Sequence, residues 1–293
     1  MDLTKKSAIK ELLEKYDVKA EKKFGQHFIL SKKALVQIIA AAEIKKNDTI
    51  IEIGPGLGTL TQELSKSGAK IIAIEKDPVM INILSETLAD YKNIKIIHSD
   101  ARQISMSDID VGHRYKKYKI VANLPYNVAT FLIHQWLESE KPPESMILMI
   151  QKEVAQRIIA KPPRMNLLAV SIQFYAEAKI VDYVPAEAFW PRPKVDSAII
   201  KITPIKKRSQ KTRNVFFMVA KAGFSQPRKQ LASNLAKKLN IPKEKILEIF
   251  NNFPPKADQP MAENISERAR AENLSLEQWV LLSTILHPTL QEK

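Results

Sequence analysis

The chain has 293 residues, of which 45% are hydrophobic and 27% charged; it has no cysteine and a formal net charge of +14. That balance fits a globular protein and leaves no room for disulfides or thiolate chemistry. No apolar run approaches the roughly 20 residues a membrane span requires. The first 23 residues mix lysines with Asp2, Glu11, Glu14, Asp17 and Glu21, unlike a signal or transit peptide, so a cytoplasmic protein without membrane attachment is expected.

From Thr49 to Ile202 strand and helix signals alternate. Thr49–Ile53 is a short β-branched run that ends in a glycine-rich turn. Leu57–Lys66 has helical spacing, with Leu57, Leu60 and Leu64 on one stripe. Lys70–Glu75 is a second strand, and Pro78 opens a helix over Val79–Leu88. Ile94–Ile97, Lys119–Ala122 and Ser145–Ile150 read as further strands, Val128–Leu137 as a helix and Ser197–Ile202 as a closing strand. Such alternation predicts an α/β fold, a parallel Rossmann-like sheet with helices on both faces. Pro204 and the run that follows it break the pattern. The expected organisation is therefore an α/β domain over 1–204 and a small all-helical domain over 205–293. The helices of the latter are read at Val215–Ala222, Lys229–Leu239, Lys243–Phe250 and Leu276–Leu286.

The positive charge is unevenly spread. Between Ile205 and Lys245 there are twelve Lys or Arg and one acid, Glu244. Concentrated charge of this kind is the footprint of a phosphate-backbone binder. Arg208, Arg213, Arg228, Lys229, Lys237 and Lys238 are the candidate RNA contacts.

Glu52-Ile-Gly-Pro-Gly-Leu-Gly58 follows the first strand of the alternation and precedes a helix. Glycines at such a turn let the backbone approach a ligand. Gly54 and Gly56 are the candidate contacts. The same turn also occurs in dinucleotide-binding folds and as a plain connection, although Thr59 stands where the dinucleotide pattern has its third glycine. Glu75 ends the next strand, where a carboxylate accepts both ribose hydroxyls of an adenosine. Asp100, followed by the small Ala101, ends the strand after that and suits an adenine amino group. No metal is called for.

Asn123-Leu-Pro-Tyr126 follows the next strand and is the most specific signal in the chain. With it the chain closely resembles the ribosomal RNA adenine dimethyltransferases, the KsgA family. The match extends to Phe24-Gly-Gln-His-Phe28, the glycine turn, Glu75, Asp100, Phe189-Trp-Pro-Arg-Pro-Lys-Val-Asp-Ser197 and Phe224-Ser-Gln-Pro-Arg-Lys229. The resemblance implies S-adenosylmethionine as cofactor. It also implies dimethylation at N6 of two adjacent adenines in the 3′-terminal hairpin of small-subunit rRNA, by a monomer acting on the small ribosomal subunit or its precursor. Gln26 and His27 match residues that close over the cofactor, Ile29 matches a backbone contact, and Phe189 matches an aromatic that sandwiches the target base. His27 stands where many members carry Asn, and Pro227 where a polar residue is common.

The chemistry explains the tetrapeptide on its own terms. An exocyclic amine conjugated to a purine is a poor nucleophile. The Asn123 side-chain oxygen and the Leu124 carbonyl, set before the rigid Pro125, accept its two hydrogens and aim its lone pair. Tyr126 offers a face for the base. A large-subunit adenine methyltransferase of the antibiotic-resistance type shares these motifs, and a non-catalytic assembly or transcription factor on the same fold is the alternative of another class.

Overall fold

A computed structural model describes residues 1–18, 26–104, 117–205, 209–253 and 265–291. The described chain divides into two compact units. The first comprises Met1–Gln156 and Ala176–Pro204, the second Arg157–Tyr175 and Ile205–Lys293.

In the first unit, α1 (Lys6–Lys15), β1 (Phe28–Ile29) and α2 (Lys32–Ala42) precede the alternating core. That core runs β2 (Thr49–Ile53), α3 (Thr59–Ser65), β3 (Lys70–Glu75), α4 (Pro78–Thr87), β4 (Ile94–His98), β5 (Lys119–Asn123), α5 (Ala129–Glu138) and β6 (Ser145–Gln151). The boundary between the units falls inside α6 (Lys152–Ile158). The chain returns to the first unit with β7 (Ala176–Val184), β8 (Phe189–Trp190) and β9 (Ser197–Pro204).

Seven strands form one sheet in the order β4-β3-β2-β5-β6-β9-β7. The first five are parallel, whereas β9 runs antiparallel to both β6 and β7. The sheet is therefore mixed, where the sequence predicts a parallel one. Its closing strand lies inside rather than at the edge, because β7 pairs outside it.

Helix entries follow local chemistry. The Ser31 hydroxyl caps α2 and the Asp77 carboxylate caps α4, with Pro78 in the first turn. α3 starts at Thr59, two residues after the expected Leu57, because Gly54, Pro55 and Gly56 shape the turn before it. At the opposite end of the sheet the Lys119 ammonium donates to the carbonyls of Ala42 and Glu43 and to Asp48, which satisfies the C-terminus of α2.

In the second unit, α7 (Leu167–Gln173), α8 (Gln210–Gly223), α9 (Leu231–Leu239), α10 (Lys243–Asn251) and α11 (Leu276–Gln291) pack around one apolar core. The Phe174 ring stacks on Phe216 at a centroid distance of 4.0 Å, and the Ile205 amide donates to the Tyr175 carbonyl. These contacts explain the one change to the expected division at 204. Residues 157–175, which the sequence reading gives to the α/β domain, cluster with the helices.

Candidate active site

β2 and β5 are neighbours from which the connections lead in opposite directions, β2 to β3 and β5 to β6. In open α/β sheets a ligand binds at such a reversal, beyond the carboxyl ends of the strands. A cavity of about 160 Å³ opens there. It is lined by parts of the 26–29 segment, the 52–60 turn, the ends of β3 and β4, and residues 123–128.

The turn after β2 has Gly54 at φ +64° and Gly56 at φ +59°, where a side chain would be strained. A Cβ on Gly56 would also meet the Phe28 ring at 3.4 Å. Glu75 is 8% exposed, and its Oε1 accepts from the amides of Lys76 and Asp77 at 2.8 and 2.9 Å. Its Oε2 sits 3.4 Å from the Gly56 amide and is the oxygen left to accept from a ligand. Burial pushes the Glu75 carboxyl upward, while these three amides hold its ionised form. At the next strand end Asp100 is paired with the Arg102 guanidinium, which holds its carboxyl down at about 2. Ala101 lies beside it on the cavity wall.

Asn123 closes the opposite side. Its Nδ2 donates to the His27 carbonyl at 3.1 Å, which commits the nitrogen and turns Oδ1 into an acceptor for the cavity. The Leu124 amide donates to the Met149 carbonyl at 3.1 Å, and Pro125 and Tyr126 continue the wall. The Tyr126 hydroxyl bonds to the Ser197 hydroxyl at 2.8 Å, which fixes its ring 5.9 Å from that of His27. Burial raises the Tyr126 phenol.

The 26–29 segment stitches the site together. Gln26 donates to Asp77, and the His27 ring nitrogen Nδ1 bonds to the Pro191 carbonyl at 2.7 Å. Ile29 pairs with Phe189 across the β1–β8 ladder.

Thus Gln26, His27, Ile29, Gly54, Gly56, Glu75, Asp100, Ala101 and Asn123–Tyr126 come together on one cavity. Phe189 does not join them. It is 3% exposed and packs in the core with Ile29, Leu35 and Ile199, its strand being held in antiparallel register with β1.

Three participants went unassigned in the sequence. Glu52 lines the cavity floor, Arg102 pairs with Asp100, and Ser197 anchors Tyr126. Glu52 and Ser197 stand inside motifs already quoted, so their positions were visible although their roles were not.

Among the basic candidates, Arg228, Lys229, Lys237 and Lys238 are exposed on the second unit. Lys237 and Lys238 sit in the last turn of α9, whereas Leu231, Leu235 and Leu239 are buried. Arg228 and Lys229 lie in the turn before α9, which starts at Leu231 rather than at Lys229. Arg213 is half-buried on α8, near Gln210. Arg208 lies outside the described residues.

The cavity fits the methyl donor that the resemblance implies: acceptors for ribose and adenine at successive strand ends, a bare glycine turn, and an orphaned Glu52 oxygen suited to a cation. Comparison with known proteins agrees. Small-subunit rRNA methyltransferase A of Dehalococcoides mccartyi is 44% identical over 272 residues, covering 92% of this chain and 89% of its own. The corresponding protein of Clostridioides difficile is 35% identical over 99% of both chains. The fold matches a dimethyladenosine transferase from Plasmodium falciparum with a TM-score of 0.71 at 24% identity, covering 89% of this chain and 98% of that one. It matches the 23S rRNA methyltransferase ErmE with a TM-score of 0.70 at 22% identity, over 88% and 98%. The family model described as ribosomal RNA adenine dimethylase matches residues 17–287, and the chain belongs to that family.

Proposed function

We infer that the protein dimethylates N6 of two adjacent adenines in the 3′-terminal hairpin of small-subunit rRNA, in small-subunit biogenesis. The observation that carries this reading is the orientation of Asn123 at the sheet's reversal, with Nδ2 tied to His27 and Oδ1 left to accept. S-adenosylmethionine supplies an electrophilic methyl on its sulfonium. Glu75 accepts from the ribose, and Asp100 faces the cofactor adenine. Asn123 Oδ1 and the Leu124 carbonyl accept the two N6 hydrogens of the target and hold the amine in a near-attack pose. Tyr126, locked by Ser197, presents its ring to the base, a contact worth about 1–3 kcal/mol. The methylated amine sheds its extra proton readily, so the step needs no strong base. The target base leaves its stack to enter the site.

The exposed basic residues of the second unit supply phosphate contacts in this reading, and the protein works as a monomer in the cytoplasm. Among the described residues no helix is long and apolar enough to cross a membrane. The identity of the curated relatives favours the small subunit over the large one. Transfer of radiolabelled methyl from S-adenosylmethionine to isolated subunits tests the choice. Labelling of unmethylated small subunits at N6-dimethyladenosine is expected. Labelling of large subunits alone, or of neither, overturns it.

A further inference from the structure

Glu52 has no part in the steps above, yet it is the most deeply buried acid on the cavity wall, 1% exposed. It sits on β2 opposite Ala73 of β3, two residues before Gly54. Among the described residues its buried Oε2 has no hydrogen-bond partner, nor has the Thr61 hydroxyl on α3. No positive charge among the described residues offsets it. Across the ladder stands Glu75, whose anion is held by three backbone amides and which repels a second one. Of the other charged groups on the wall, Arg102 is engaged by Asp100 and Asp77 by Gln26, and Lys76 is exposed to solvent. His27 has its Nδ1 on the Pro191 carbonyl. Burial, reinforced by the neighbouring Glu75 carboxylate, pushes the Glu52 carboxyl up to about 8. Burial beside Glu75, with an oxygen left unpartnered, favours the neutral acid at this position in the free protein. S-adenosylmethionine carries two cationic groups, a sulfonium and an α-ammonium, into this cavity.

We propose that binding of S-adenosylmethionine releases the proton of Glu52, so that the free protein holds a neutral acid there and the complex a carboxylate facing the cofactor's positive charge. The O–H bond of the carboxyl breaks, its electron pair stays on oxygen, and the proton passes through solvent to the buffer. A buried carboxylate next to a buried cation is tolerated where either alone is not. The coupling makes cofactor capture sensitive to pH in the neutral range. In the neutral range affinity falls with falling pH, by at most about tenfold per unit.

The inference rests on S-adenosylmethionine being the ligand, and the experiment separates the two. Titration calorimetry of the full chain with S-adenosylmethionine at pH 7, in phosphate and in Tris, counts protons from the difference in apparent enthalpy. Release approaching one proton is expected. With Glu52→Gln, which copies the neutral acid, the buffer difference collapses and affinity becomes flat from pH 6 to 7. S-adenosylhomocysteine keeps the ammonium and lacks the sulfonium. Equal release with it identifies the ammonium as the partner charge, and loss of release identifies the sulfonium. Binding without proton release in the unmodified protein overturns the proposal, as does undiminished release in Glu52→Gln, which would put the proton on another group. Absence of any binding overturns the cofactor reading beneath it.

Discussion

Glu75 gives the sharpest test of how the cavity grips adenosine. Its Oε1 is already spent on the Lys76 and Asp77 amides, so Oε2 alone faces the ligand as an acceptor. In Glu75→Gln the amide oxygen keeps those two amides satisfied. The amide nitrogen is then forced toward the cavity and presents donors where the ribose hydroxyls need an acceptor. Shape and packing survive while the interaction changes sign. A hydrogen bond to a charged group contributes about 1.5–3 kcal/mol, so S-adenosylmethionine should bind roughly ten- to a hundredfold more weakly. Glu75→Ala should lose at least as much, and some stability as well, because it orphans the two amides. Calorimetry reads the affinity, and thermal melting separates it from loss of fold. A folded Glu75→Gln that binds the cofactor within about twofold of the unmodified protein, a change of under about 0.5 kcal/mol, would refute the assignment.

Asn123→Ala should lose turnover more than cofactor affinity, with kcat down about a hundredfold, since a misplaced amine forfeits its near-attack pose; single-turnover methylation set beside calorimetry measures the split. Arg228→Ala with Lys229→Ala should weaken rRNA binding and flatten its log–log salt dependence by about 0.7–0.9 per lost contact, with cofactor affinity unchanged, as filter binding across a salt series would show. Gly223→Ala should cost about 1–3 kcal/mol in melting experiments, because its Cβ would run into the Trp279 ring and come within 2.9 Å of Leu231 Cδ1. Glu52 binds its proton more tightly when folded than unfolded, so its contribution to stability is complete at low pH and fades as pH rises from the ordinary carboxylate range through about 8. Glu52→Gln should therefore raise the melting temperature more at pH 8.5 than at pH 5, and an equal change at both would contradict the burial argument.

How much of this was legible in the sequence varied with how local its cause is. Strands β2, β3, β5 and β6 are nearly continuous apolar runs because they are buried on both faces, and their ends carry Gly54, Glu75 and Asn123 by simple adjacency. β7 left no comparable signal. It is an edge strand bearing Glu177, Lys179 and Asp182 between its apolar residues, and a bulge near Val181 interrupts its alternation. Nor could spacing reveal that 157–175 packs with the helices, since the stacking of Phe174 on Phe216 joins residues 42 apart. Phe189 shows the same limit at the site. The motif fixes which residue it is, while the pairing of its strand with Ile29 decides that its ring enters the core.

That pairing also reassigns the work of the segments most specific to the family. The ring of Phe189 does not reach the cavity, yet its neighbours bind the catalytic turn from behind. The Pro191 carbonyl takes His27 Nδ1, the Ala188 carbonyl takes the Leu30 amide, and the Ser197 hydroxyl takes Tyr126. His27 in turn offers its own carbonyl to Asn123. An amine is oriented only as well as its acceptors are, and a side-chain amide at a strand end is a poor reference unless the group it donates to is itself fixed. In the proposed mechanism the glycine turn and Asn-Leu-Pro-Tyr supply the reacting geometry, and the 26–30 and 188–197 segments supply its rigidity. This accounts for the two narrow motifs without asking either to touch the methyl group.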